Sequence, residues 1–207
     1  MPPEIRLSSP IRCIIWFFRQ VMAIKSTIYK ANVAIANIDE GYYADHSLTL
    51  ARHPSETDER MMMRLAALAM QAHQLQTVCN GDGILAFGAG LSDAQEPDVW
   101  LKDFTDQIKV WIEVGLPEER PILKACGKSK MVYVYPYHHA TPVWFKSIEN
   151  KISRLSNLEI HLVPADQSKA LALMAERSMQ LQATIQEGHC LMSNGKQSVE
   201  IIFDRLF

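Results

Sequence analysis

The sequence predicts an α/β protein, more closely an α+β arrangement with a mixed sheet flanked by helices. Short apolar or β-branched runs bounded by turn residues recur through the chain, at 24–38, 47–51, 84–87, 131–135, 158–163, 179–185 and 199–203. Between several of them lie longer segments with helical apolar spacing. Strands and helices interleave without repeats or linkers, which implies one domain. A chain of 207 residues, 48% hydrophobic and 21% charged, is long enough to bury a sizeable core.

Residues 24–38 read as a strand, Asp39-Glu40-Gly41 as a turn, and Ser47–Ala51 as the returning strand. Arg52-His53-Pro54-Ser55 stops that strand. Ser55 is the expected N-cap of a helix running to about Val78, with Glu56 and Asp58 in the first turn, where the helix dipole favours acids. On a helical wheel Arg60, Arg64, Gln71 and Gln74 share one wedge, opposite Met62, Leu65, Ala69 and Ala72. Glu59 falls on the border, able to reach sideways rather than straight into solvent. Met61-Met62-Met63 reads as core filler.

Asn80–Gly83 is a turn and Ile84–Phe87 a short buried strand. Gly88-Ala89-Gly90 lacks the remainder of a phosphate-binding fingerprint and reads as a turn. A hairpin with a tight turn about Thr105-Asp106 follows. In its register Asp98 faces Glu113, Trp100 faces Trp111 and Lys102 faces Lys109, with Val99–Ile112 and Leu101–Val110 on the other, apolar face. An acidic helix start at Leu116–Arg120 leads to a helix ending near Gly127. Met131–Tyr135, Leu158–Val163, Met179–Ile185 and Val199–Phe203 read as strands, the last two bracketing a turn at 193–196. Thr141–Leu155 and Gln167–Arg177 read as helices.

No apolar run approaches the ~20 residues of a membrane span. Residues 1–21 read as an upstream extension ahead of a single domain at 22–207, with an amphipathic anchor as the alternative. The four cysteines are scattered, with no Cys-x-x-Cys, and fit a reducing cytoplasm. The net charge of −2 excludes a chain coated with basic residues for non-specific nucleic-acid binding. The charge is uneven, however. Residues 120–154 carry seven basic side chains and one acid, a local +6 against −8 elsewhere. That segment is the expected nucleic-acid contact, or simply two solvated helix faces.

Asp98 and Glu113 carry the chemistry. Two carboxylates on neighbouring strands can hold Mg2+ or Mn2+, hard cations that take oxygen ligands and keep waters for a phosphate substrate. The bland reading of such a pair is a solvated hairpin edge. Adjacent His138 and His139 should point opposite ways on an extended segment, which suits a helix-entry role better than a shared metal.

Residues 25–31, Leu48–Thr57, Glu59-Arg60-Met61-Met62, Glu96-Pro97, Trp100-Leu101, Trp111-Ile112-Glu113, Gly115-Leu116-Pro117 and 181–186 together resemble the YaeQ family of bacterial proteins. The resemblance runs from Met22 to about Phe203. It implies a variant of the restriction-endonuclease-like fold, the PD-(D/E)XK nuclease superfamily. It also implies a metal-dependent nuclease site with Asp98 as first acid, Glu113 as second and Glu59 as a third. Where that signature has lysine, two residues after Glu113, this chain has Gly115. Lys124 on the following helix is the expected migrated substitute, and Lys109 the second choice. Gln182 or Gln186 could add a polar contact, though packing on a strand face explains them equally. A catalytically degenerate scaffold that binds without turnover is the alternative function.

Overall fold

A computed structural model describes residues 26–93 and 95–207. Residues 1–21, read above as an extension, lie outside them. The elements are β1 (Thr27–Asn37), β2 (Tyr42–Arg52), α1 (Asp58–Gln71), α2 (Gln74–Thr77), β3 (Gly83–Phe87), β4 (Val99–Asp103), β5 (Ile108–Val114), α3 (Glu119–Lys128) and β6 (Met131–Tyr135). They continue as α4 (Thr141–Ile152), β7 (Leu158–Leu162), α5 (Ala165–Ala172), β8 (Ser178–Gln186), β9 (His189–Ser193), β10 (Ser198–Ile202) and β11 (Asp204–Arg205).

The expected mixed architecture is present, divided into two sheets. One has the order β10-β9-β8-β1-β2, the other β11-β7-β6-β5-β4-β3. Each is mixed: β1 and β8 are parallel in the first, β5, β6 and β7 in the second, and the remaining pairs antiparallel. α1 packs between the sheets, touching β1 and β9 on one side and β4 and β5 on the other. It is therefore buried almost all round, with Met61, Met62, Met63, Leu65 and Leu68 fully enclosed. A second core lies on the far face of the six-stranded sheet, where Ile122 and Ala125 of α3 and Ile148 and Ile152 of α4 cover Trp111, Val132 and Ile160.

Several boundaries differ from expectation for local reasons. The N-cap of α1 is Thr57, whose Oγ1 accepts from the Arg60 N–H at 3.1 Å, so Asp58 and Glu59 are the first-turn acids. Glu56 precedes the cap and is buried. α1 ends at Gln71, and only the short α2 follows. β2 starts five residues before the expected Ser47. The strand β9 is unforeseen: Glu187 and Gly188, both at positive φ, form a two-residue hairpin loop that returns the chain at His189.

The central hairpin keeps its predicted register over Val99–Ile112, Trp100–Trp111 and Leu101–Val110. A bulge between Leu101 and Lys102 then shifts the tip, so Lys102 opposes Ile108 and not Lys109. The two ammonium groups separate accordingly. Lys109 pairs with Asp103 at 2.8 Å, while Lys102 lies over the Trp100 ring at 3.6 Å. His138 and His139 also depart from expectation. They sit in a turn, not in an extended segment, and their rings lie side by side with centroids 3.9 Å apart. The helix-entry role does hold, since the His138 carbonyl accepts from both the N–H and the hydroxyl of Thr141 at the start of α4.

Candidate functional site

Asp98 lies immediately before β4, and its N–H donates to the Ile112 carbonyl at 3.0 Å, which continues the ladder to Glu113. The side chain turns to the end of β5, where Oδ2 accepts from the Val114 N–H at 2.8 Å. Glu113 is one residue from the end of that strand. Its Oε1 accepts from the Trp111 indole at 2.7 Å, an orientation fixed by a side chain that is itself in the second core. The predicted acids thus meet at one corner of the six-stranded sheet. They share a cleft of about 230 Å³ with Arg60, Asp93, Glu96, Pro117 and Pro121.

Three residues outside the expected set complete the cluster. Arg60 donates through Nη1 to Glu56 Oε1 at 2.9 Å, and its Nη2 lies 2.7 and 3.0 Å from the two Asp98 oxygens. Arg64, one turn further along α1, is fully buried. Its Nη1 donates to both oxygens of Glu56 at 3.2 and 3.3 Å, and its Nη2 to the carbonyls of Gly88 (3.1 Å) and Asp98 (3.4 Å). Glu56, 3% exposed, sits between the two guanidiniums. These residues stand on the helix-wheel wedge that would ordinarily face water, or just ahead of it. Only the second sheet behind α1 turns that wedge inward.

The glycine-rich loop holds this geometry. A Cβ on Gly88 would lie 2.0 Å from the Pro97 carbonyl oxygen, and Gly90 adopts φ +58° with Arg64 against it. The turn reading of this segment is right, and its work is to let the chain close over Arg64.

Burial pushes both acids upward. For Asp98 the two guanidiniums and the Val114 N–H oppose that push. Glu113 lacks such cationic partners at short range. Burial, then the Asp98 charge, raise it to about 8 despite the bond from Trp111. Burial thus favours the protonated form of Glu113. Tyr137, whose ring approaches Gly115, feels the charges of Arg60, Glu59 and Asp98, and burial raises its phenol to about 12.

The other two expected site residues stand apart from the pair. Glu59, half-buried, accepts from the Ser168 hydroxyl of α5 at 2.6 Å and does not line the cleft. Lys124 hydrogen-bonds Gln95, in the loop ahead of Asp98. Lys109 is held by Asp103 near the hairpin tip, and Gln182 and Gln186 are exposed on the five-stranded sheet. Gly115 has φ +97°, a left-handed conformation at the end of β5. The backbone itself therefore disfavours a lysine there.

Two convergent carboxylates suit a hard divalent cation, and Asp98 Oδ1 already has cationic neighbours, Arg60 Nη2 at 2.7 Å and Arg64 Nε at 3.5 Å. Among the described residues no group of three or more His, Cys, Asp or Glu side chains is arranged around a metal position. The protein would supply two ligands and leave the remaining positions to water and substrate. A larger cavity of about 490 Å³ lies on the outer face of the five-stranded sheet, lined by Asn32, Asp45, His46, Gln180 and Gln182. It has no comparable convergence of buried charge.

Among the described residues no helix is long and apolar enough to cross a membrane. The family model described as YaeQ protein matches residues 22–203. The uncharacterized protein YaeQ of Escherichia coli (strain K12) and that of Salmonella typhi are each 41% identical over 181 residues, covering 87% of this chain and 95% of the relative. The crystal structure of YaeQ protein from Xanthomonas axonopodis pv. citri superposes with a TM-score of 0.80 at 38% identity, over 88% of this chain and 98% of that one. For YaeQ protein from Pseudomonas syringae the TM-score is 0.79 at 33% identity, over 88% and 96%.

Proposed function

The chain belongs to the YaeQ family, and from the site it builds we propose a phosphodiesterase dependent on Mg2+ or Mn2+, acting on nucleic acid with a variant of the restriction-endonuclease-like core. The observation that carries this reading is the convergence of Asp98 and Glu113 in one cleft. Both acids would hold the cation, which when bound polarises a phosphoryl group and acidifies water.

The chain's own residues do the rest. Val114 N–H and Arg64 fix Asp98, and Trp111 fixes Glu113, so the two oxygens are placed before substrate arrives. Glu59, held by Ser168 outside the cleft, takes no part in this arrangement. In the reaction, water forms a bond to phosphorus as the bond to the leaving oxygen breaks. One water proton goes to solvent, and the leaving oxygen takes one up.

The basic segment 120–154 would receive the nucleic-acid backbone. Arg120 and Lys151 line a second groove of about 390 Å³ between α3 and α4, beside Trp144. Lys151 is partly neutralised by Glu119 at 2.6 Å. The chemistry fits the bacterial cytoplasm, as do the unpaired thiols of Cys79, Cys126 and Cys190.

The test is incubation of purified protein with single- and double-stranded DNA and RNA in Mg2+ or Mn2+. Cleavage that needs metal and is lost by at least ~100-fold in both Asp98→Ala and Glu113→Ala is the expected result. Equal activity in the variants and the wild type would defeat the reading.

A specific observation favours a second reading, a non-catalytic binding module. Asp98 already has two guanidinium neighbours, and Gly115 leaves the signature without its lysine. That reading expects nucleic-acid or protein binding with no turnover, and no heat of magnesium binding by calorimetry.

A further inference from the structure

We propose that Arg60 is the phosphate-binding cation of this site, taking the role for which Gly115 leaves no side chain. The inference rests on the phosphodiesterase reading above and adds to it the group that contacts the substrate's anionic oxygens.

The cations near the cleft differ in how they are held. Arg64 has no exposure and is committed to four acceptors: both oxygens of Glu56 and two backbone carbonyls. It cannot leave without stranding those groups. Lys124 is turned to Gln95 and does not line the cleft. Arg60 alone among these three lines the cleft, with 18% of its side chain exposed, and its side chain pairs with the carboxylates of Glu56 and Asp98.

Charge balance then identifies the mobile partner. Two guanidiniums, Arg60 and Arg64, match two carboxylates, Glu56 and Asp98. A divalent cation at Asp98 Oδ1 takes the place of Arg60 Nη2, which lies 2.7 Å from that oxygen, and leaves Arg60 as the surplus positive charge. It is displaced from Asp98 while its Nη1 stays on Glu56 at 2.9 Å, an anchor on one side of the fork. Because Arg60 lines the cleft, Nη2, once released from Asp98, is within reach of a substrate there. A planar guanidinium anchored at one edge suits two oxygens of a phosphodiester better than an ammonium does. Arg60 thus alternates between counterion to Asp98 and ligand to phosphate.

The experiment uses the full chain and a fluorescein-labelled single-stranded DNA oligonucleotide, titrated by anisotropy in calcium. Arg60→Met and Arg60→Lys should each weaken binding at least ~10-fold, while Lys196→Met, in the exposed turn between β9 and β10, stays within about twofold. A second readout is manganese affinity by calorimetry without oligonucleotide. Arg60→Met should bind manganese as tightly as the wild type or more tightly, because a competing cation has gone. Thermal melting of Arg60→Lys checks that the chain remains folded, so its result stands even if Arg60→Met is unstable. Weaker manganese binding in Arg60→Lys, or loss of oligonucleotide binding in Lys124→Met with Arg60→Lys intact, overturns the assignment and leaves the phosphodiesterase reading in place. A wild type that binds neither manganese nor oligonucleotide overturns both.

Discussion

The two halves of the polar stripe on α1 meet the same physical problem and solve it differently. Toward its C-terminal end, Gln71 donates to the Tyr135 hydroxyl at 2.6 Å, and Gln74, just past the helix, donates to the Tyr133 hydroxyl at 2.8 Å. These groups are neutral and paired, all buried except the half-buried Tyr133, and burial pushes the Tyr135 phenol further from ionising. Toward its N-terminal end, Arg60 and Arg64 meet Glu56 and Asp98 beside Glu113, and one side opens to a cleft. Amides and phenols can satisfy one another inside a core at modest cost. Buried ions cost much more and are weak evidence for a purely stabilising role. The contrast marks the N-terminal half as the site and the C-terminal half as scaffold.

The largest effect should separate the halves by stability. Arg64→Met strands Glu56 Oε2 and two backbone carbonyls and should cost about 3–5 kcal/mol in urea unfolding. Gln71→Leu removes a neutral bond and should cost about 1–3 kcal/mol. Equal losses would erase the distinction.

A second effect concerns pH. Glu113 keeps its proton in the folded protein up to about 8, against an ordinary 4.5 in the unfolded chain. The native state therefore binds the extra proton between those values. Its stabilisation is fully present below about 4.5 and is lost as pH rises toward 8, by up to about 1.4 kcal/mol per unit. Glu113→Gln should flatten the melting temperature across that window, whereas Gln74→Leu should leave the slope intact. A slope unchanged in Glu113→Gln would show that the proton is held elsewhere.

The smallest effect tests the missing lysine. Gly115→Lys places a side chain at φ +97° and should cost about 1 kcal/mol or somewhat more. It should not raise metal-dependent cleavage. A gain in cleavage would show that the turn adapts and that the signature position is still usable.

The hairpin shows how far sequence reasoning reached. Alternating apolar residues and a tryptophan pair set Asp98 opposite Glu113, because a slip of one residue would expose Val99, Leu101, Val110 and Ile112. The tip escaped it, since a bulge depends on twist and neighbouring packing rather than on residue type. Glu56 was legible as an acid near a helix start, but not as a buried one. Arg60 and Arg64 were legible as a polar stripe, and nothing local distinguished it from a solvated face.

Local chemistry alone, then, determined the mixed α and β elements, the central register and the carboxylate pair. Hydrophobic alternation and turn residues act over short stretches of chain, and family resemblance added the site's expected identity. Only the tertiary structure decided which cations attend that pair. Enclosing α1 between two sheets removed water from its polar stripe, and ions deprived of water must find one another.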